Sequence, residues 1–177
     1  MNTMLIRCLK GLNRHPVMTW ACRATTMLEC WGTPVFDLAI RLYIASVFLR
    51  SGMLKLADWD TTRTLFESVY VVPLLPPAWA AVLGTMGETG LPILLVLGLA
   101  TRFGAAGLSV VNFVAAISFP DISDTGLQDH WLWGSLLLVT VFHGAGTLSL
   151  DAWWAKWRLR GHGPGEAGSP GTIRSRL

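Results

Sequence analysis

Charge is scarce in this chain. Asp, Glu, Lys and Arg make up 14% of its 177 residues while 52% are hydrophobic, against roughly a quarter charged in an average soluble domain. Cysteine is sparser still: Cys8, Cys22 and Cys30 all precede the first long apolar segment, and their spacing fits neither a CxxC dithiol nor a zinc site. They are read as unpaired thiols in a reduced compartment, and no metal site is expected. No apolar run of about 7–15 residues follows the early basic residues Arg7, Lys10 and Arg14, so a secretory signal peptide is not expected. Met18 and Met27 are alternative starts, which leaves open whether the first 17 to 26 residues are translated. A net charge of +3, with no basic run interleaved with aromatics, argues against a nucleic-acid partner.

Four apolar segments are present instead, at about 35–54, 78–99, 103–119 and 131–150. Each is close to the ~20 residues that cross ~30 Å of hydrocarbon at 1.5 Å per residue. The last three show no polar face at helical period, as a soluble helical domain requires. The nine tryptophans cluster at segment boundaries, with only Trp20 away from one, as indole rings do at headgroup level. With both termini cytoplasmic, ten Lys or Arg residues lie on the inner side and only Lys55 and Arg63 on the outer; this sets the orientation. Residues 62–72 place Leu65, Phe66, Val69 and Tyr70 on one stripe, which reads as a short helix on the outer interface.

The expected fold is therefore an all-α membrane protein: a four-transmembrane-helix bundle with an interfacial helix in its first outer loop. A cytoplasmic extension (1–34) precedes the membrane domain (35–151), and a basic, Gly/Pro-rich tail (152–177), read as disordered, follows. Gly84, Gly87 and Gly90, Gly104 and Gly107, and Gly144 and Gly146 are expected to let helices approach closely, and Pro92 to loosen the second one.

Ionisable residues inside a bilayer cost on the order of 2.5–3.5 kcal/mol each and point to function or to a partner. At 1.5 Å per residue from the cytoplasmic edge, Arg41 lies at ~9 Å, His143 at ~10 Å, Asn112 at ~15 Å, Glu88 at ~18 Å and Arg50 at ~22 Å. Arg50 and Glu88 are nearly level and are expected to pair. Arg41 is expected to pair with Asp37 and snorkel to the inner interface, the sharper alternative being His143. Asn112 is expected to bond across helices, while His130 falls in a loop. The set serves either as glue fixing helix register or as a polar pocket for a quinone head group or small anion.

Several of these stretches together resemble the DoxX family of small four-helix bacterial membrane proteins. They are Arg41; Phe48 with Ser51, Gly52 and Lys55; Glu88 near Gly90; Gly98 with Thr101 and Arg102; and His143-Gly144-Ala145-Gly146 followed by Leu148-Ser149-Leu150-Asp151. The resemblance spans about residues 35–151 and implies a multi-pass inner-membrane location. It also implies links to thiosulfate oxidation with quinone as acceptor and to complexes handling thiol and oxidative stress. The core carries no Cys pair, haem motif or flavin fingerprint, so no cofactor is evident, although a quinone fits the resemblance. Three roles follow: an accessory subunit acting with a partner subunit or as a homodimer, a quinone-linked thiosulfate oxidoreductase component, or a small-solute carrier. The catalytic residues, if any, are not identified.

Overall fold

The computed structural model describes residues 25–161 together with Trp20 and Arg23. The Gly/Pro-rich stretch from 162 onward, Cys8, Cys22 and most of the N-terminal extension lie outside the described residues. The described residues are all helical or loop, with no strand. After a short π-helical turn at Leu28–Gly32 come α1 (Thr33–Ala57), α2 (Trp59–Ser68), α3 (Pro77–Leu97), α4 (Thr101–Ser118), α5 (Asp124–His143) and α6 (Leu150–Gly161). Among the described residues three stretches are long and apolar enough to cross a membrane: Thr25–Ala57, Pro77–Leu97 and Thr101–Ser118.

The ends of these helices follow from local chemistry. Pro77 opens α3 at its first position, where a missing N–H costs nothing. Gly98 ends α3 in the left-handed region at φ +66°, and a side chain there would run into the Arg41 guanidinium and Ser149. The Ser123 hydroxyl accepts the Gly126 amide at 3.1 Å and starts α5. That start is seven residues earlier than the apolar pattern indicated, because the first two turns are polar. The same helix stops at His143 rather than running to Leu150, since Gly144 and Gly146 turn the chain at φ +89° and +68°. His130 is consequently a helical residue, not a loop one. The basic stretch after Leu150, read as tail, is helical through Gly161.

The chain doubles back at each connection, so α1 packs on α3, α3 on α4, α4 on α5, and α5 returns to α1. One core serves all four. Ile40, Ile44, Ala45 and Phe48 of α1 meet Leu95, Ala105, Leu108 and Leu137. Ile44, Leu95, Leu108 and Leu137 are fully enclosed, and truncating any of them to Ala opens a void worth roughly 2–5 kcal/mol. Gly87 faces Val111 and Gly107 faces Leu91 at distances that leave no room for a Cβ, as the small-residue pattern indicated; nothing approaches Gly90. The outside is apolar. Met53, Met86, Ile93, Phe103, Val110 and Phe113 are each at least half exposed, the reverse of a water-soluble surface.

The short α2 folds back on α3. Asp58 caps it, its carboxylate accepting the Thr61 amide at 3.0 Å and the Thr61 hydroxyl at 2.7 Å. Thr62 and Phe66 are the side chains it buries, with Phe66 against Ala80 and Ala81 and beside Trp59 and Tyr70. Leu65 and Val69, half of the expected apolar stripe, remain exposed.

Candidate functional site

Because the long helices alternate in direction, the polar side chains collect at two ends. The α2 end gathers the last turns of α1 and α4 with the first turns of α3 and α5. The other end gathers the first turns of α1 and α4, the last turns of α3 and α5, and α6.

At the α2 end lies a cavity of about 580 Å³ lined from α1 to α5. Glu88 reaches it from α3, and its carboxylate is paired with Lys55 of α1, whose ammonium also donates to Ser51 Oγ at 2.9 Å. The expected Arg50–Glu88 pair does not form. Gly52 is the reason: α1 presses its backbone onto α3 there, where a Cβ would sit 2.6 Å from Thr89 and 3.0 Å from the Glu88 carbonyl carbon. Lys55, three residues on, shares that face, whereas Arg50 is more than half a turn away. Axial depth alone could not separate the two; the phase of the close-packed glycine could. Arg50 lines the cavity too, but it is exposed and has no ion pair among the described residues.

Across the cavity, Asn112 of α4 bonds both ends of its amide to His130 of α5: Nδ2 donates to the His130 carbonyl at 2.9 Å, and Oδ1 lies 2.8 Å from Nδ1. This is the cross-helix bond expected of Asn112. Its partner was missed because the polar start of α5 hid His130 outside the apolar segment. Trp133 is likewise no interfacial tryptophan. It is half-buried with its ring edge-on to Phe48 and to His130, at centroid distances of 6.0 Å and 5.1 Å. Its indole Nε1 and the Ser118 hydroxyl are sealed from solvent without hydrogen-bond partners. Buried donors of this kind are uncommon and call for an explanation.

Tyr70 closes the cavity from the α2–α3 loop, edge-on to Phe66 and Phe119. The Val71 amide ties this loop to the Ser118 carbonyl at 2.8 Å. Burial, and secondarily the charge of Glu88, push the Tyr70 phenol up, so it stays protonated and can donate.

The opposite end is built differently. Arg41 is 1% exposed, so it does not snorkel. Its guanidinium donates to the Leu95 carbonyl at the end of α3 and to the Leu148 carbonyl beyond α5. The turn at Gly98 comes so close that the guanidinium cannot reach the interface. Asp37 and Asp151 act on it electrostatically, while Asp37 itself sits 3.7 Å from His143. His143 therefore lies beside Asp37 rather than Arg41, at the opposite end of the bundle from Glu88. Asp151 is the other clamp. Its carboxylate accepts the Ala100 and Thr101 amides at 2.9 Å and 3.1 Å, capping α4, and its own amide donates to the Gly98 carbonyl at 3.0 Å. Arg102 stays exposed, with one long bond to the Phe142 carbonyl at 3.5 Å.

Of the five intramembrane polar residues singled out, then, Arg50, Glu88 and Asn112 belong to the cavity end, and Arg41 and His143 to the other. Among the described residues no group of His, Cys, Asp and Glu could hold a metal ion.

Apolar helices long enough to span a bilayer, with charges paired between them and an apolar exterior, define an all-helical membrane protein. The comparisons narrow this class. The family model described as DoxX matches residues 36–121, which takes in α1 to α4. An uncharacterized protein of Haemophilus influenzae is 32% identical over 131 residues, 68% of this chain and 83% of that relative. The chain belongs to the DoxX family. No solved structure matches.

Proposed function

We propose that this chain is an inner-membrane protein crossing the bilayer four times, through α1, α3, α4 and α5, with both termini cytoplasmic. In this reading it serves a membrane redox, sulfur or oxidative-stress system as an accessory subunit, receiving a quinone head group in the cavity at the α2 end. The 20 residues of α5 reach about 30 Å, a bilayer's hydrocarbon thickness. The Lys and Arg asymmetry puts the cavity on the outer side.

The observation that carries this reading is the cavity's make-up. Its walls are mostly apolar, from Phe48, Leu83, Val111, Val114 and Phe119 among others, with few polar groups, as small-molecule sites are. Those polar groups include two buried donors with nothing to bond, Ser118 Oγ and Trp133 Nε1, and the Lys55 ammonium. Carbonyl oxygens on a flat ring answer such donors. A bound quinone supplies two-electron, two-proton chemistry. The chain's own residues bind and orient the ring, with the Glu88–Lys55 ion pair beside it. Electrons come from a partner subunit, since the sequence of the core has no redox motif.

Titrating a short-chain ubiquinone analogue into the detergent-purified protein by calorimetry tests this. Wild type binds, and Val114→Trp, which fills the cavity without touching a charge, lowers affinity at least about tenfold. Equal binding by the variant removes the cavity from the reading. A second reading, a small sulfur oxyanion such as thiosulfate, is favoured by the unpaired Arg50 on the cavity wall. Thiosulfate binding that disappears in Arg50→Gln, with no quinone binding, selects it.

A further inference from the structure

The end remote from α2 holds a second hollow that the proposed function leaves unused. It is a groove of about 540 Å³ lined by Thr101, Arg102 and Phe103 of α4, His143 of α5, the 144–146 turn, and Ser149, Asp151 and Ala152 at the start of α6. We propose that this groove binds the phosphodiester headgroup of an anionic phospholipid, with the acyl chains running along Phe103 and Phe142.

Four observations converge on it. First, Arg102 is an exposed guanidinium whose one bond among the described residues, to the Phe142 carbonyl, is 3.5 Å long, so most of its donors are free for bidentate contact with a phosphate. Gly144 lies directly beneath it: a Cβ there would sit 3.2 Å from Arg102 Nε, and the φ of +89° admits glycine. The turn is thus shaped to seat this side chain.

Second, Thr101 in the same wall is 1% exposed, and its hydroxyl has no hydrogen-bond partner. It is a spare donor beside the α4 N-terminus. Asp151 accepts the first two amides of that helix, which spends its carboxylate on the cap. Asp37, behind the groove, lies 3.7 Å from His143.

Third, the surroundings are cationic. Arg23, Arg41, Arg102, Lys156 and Arg158 stand against three carboxylates, Glu29, Asp37 and Asp151, among the described residues at this end. Helix α6 presents Trp153, Trp154 and Trp157, all exposed, with Arg158 stacked 5.1 Å over Trp154. Indole and cation side by side is the composition that seats a helix among anionic headgroups.

Fourth, the groove continues into apolar surface. Phe103 is 71% and Phe142 79% exposed; Phe103 is next to Arg102 in the chain, and the Phe142 carbonyl accepts from it. A free phosphate has no use for these rings, whereas lipid chains do. The lysine and arginine asymmetry puts this end at the cytoplasmic leaflet, where anionic lipid attracts basic juxtamembrane segments.

The test uses the full-length protein in detergent, with lipid retention read by native mass spectrometry and thermal stability read in parallel. Wild type retains phosphatidylglycerol over phosphatidylcholine and is stabilised by it. Arg102→Gln lowers phosphatidylglycerol affinity about fivefold while melting like wild type in phosphatidylcholine, and Arg102→Lys recovers part of the loss. Thr101→Val, nearly isosteric, weakens the same lipid with little change in melting, so the outcome does not hang on one variant. Arg102→Gln binding phosphatidylglycerol as tightly as wild type overturns the site. Millimolar inorganic phosphate displacing the lipid fully overturns the lipid as its occupant and leaves a free-phosphate pocket.

Discussion

The two ends of this molecule use similar residues to opposite purpose. At the α6 end, Arg41 is enclosed among carbonyls of two different segments, and Asp151 staples a remote helix cap. Most of its charges hold backbone in place, with Arg41 Nε and Thr101 Oγ1 left without a partner among the described residues. At the α2 end, Lys55 and Glu88 neutralise one another beside a cavity, while Arg50, Ser118 Oγ and Trp133 Nε1 have nothing to bind. Buried charges that are spent on backbone are architecture. Buried groups left unspent around a hollow are the mark of a site. The residues resembling the family pattern divide along the same line: Arg41, Gly98 and Asp151 lock the fold, and Ser51, Gly52, Lys55 and Glu88 shape the cavity.

The comparison breaks most readily at Arg41. Arg41→Met leaves the Leu95 and Leu148 carbonyls without their donor and removes the positive charge that acts on the buried Asp37. The loss is about 3–5 kcal/mol, the cost of breaking a buried charge cluster. Thermal unfolding in detergent measures it. Whatever fraction still folds retains wild-type quinone affinity, because the cavity lies at the other end. A variant that melts like wild type shows that Arg41 does not lock the structure.

The next effect tests the other end. Lys55→Met leaves Glu88 buried alone and costs about 2–3 kcal/mol, less than Arg41 because Lys55 keeps 20% of its side chain accessible. Removing both charges in Lys55→Met/Glu88→Met recovers much of the stability but none of the ligand binding. Stability and ligand binding thus part company at this end. A double variant as unstable as the single one assigns the pair to scaffolding.

Trp133→Phe separates them further. The indole N–H is buried without a partner, so deleting it leaves stability within about 1 kcal/mol of wild type or slightly raises it. Quinone affinity falls about fivefold if that donor serves a carbonyl. Calorimetry and melting on one preparation give both numbers, and unchanged affinity takes Trp133 out of the site.

The helices and the membrane character were legible because hydropathy and tryptophan placement report them directly. The ends of α5 were not, since its opening turns are polar and its apolar pattern runs on past Gly144. The Lys55–Glu88 pair was half legible. Glu88 had to find a cation, but depth along the axis favoured Arg50, and only the contact of Gly52 with α3 fixes which face of α1 turns inward. Arg41 was misread for a similar reason: a one-dimensional depth cannot show that the Gly98 turn and the 144–149 loop fold over a side chain near the interface. Ser118, His130 and Trp133 enter the cavity through α5 packing and the loop over it, which periodicity does not encode.

The smallest effect concerns α2, the element closing the cavity end, and it is a matter of pH. The Thr61 backbone amide, and then its hydroxyl, hold the Asp58 carboxyl below the usual carboxylate range, slightly opposed by burial. A depressed folded pKa contributes stability that is complete above the unfolded value near 3.9 and fades as pH falls through the folded value. Acidification below about pH 4 therefore loosens the first turn of α2. Hydrogen exchange of the α2 amides, corrected for intrinsic rates, follows this directly. Asp58→Asn keeps a capping oxygen but cannot titrate there, so its protection is flat across the same pH range. If the variant shows the wild-type pH dependence, some other group controls the cover of the cavity, and Glu88 beneath it becomes the first to examine.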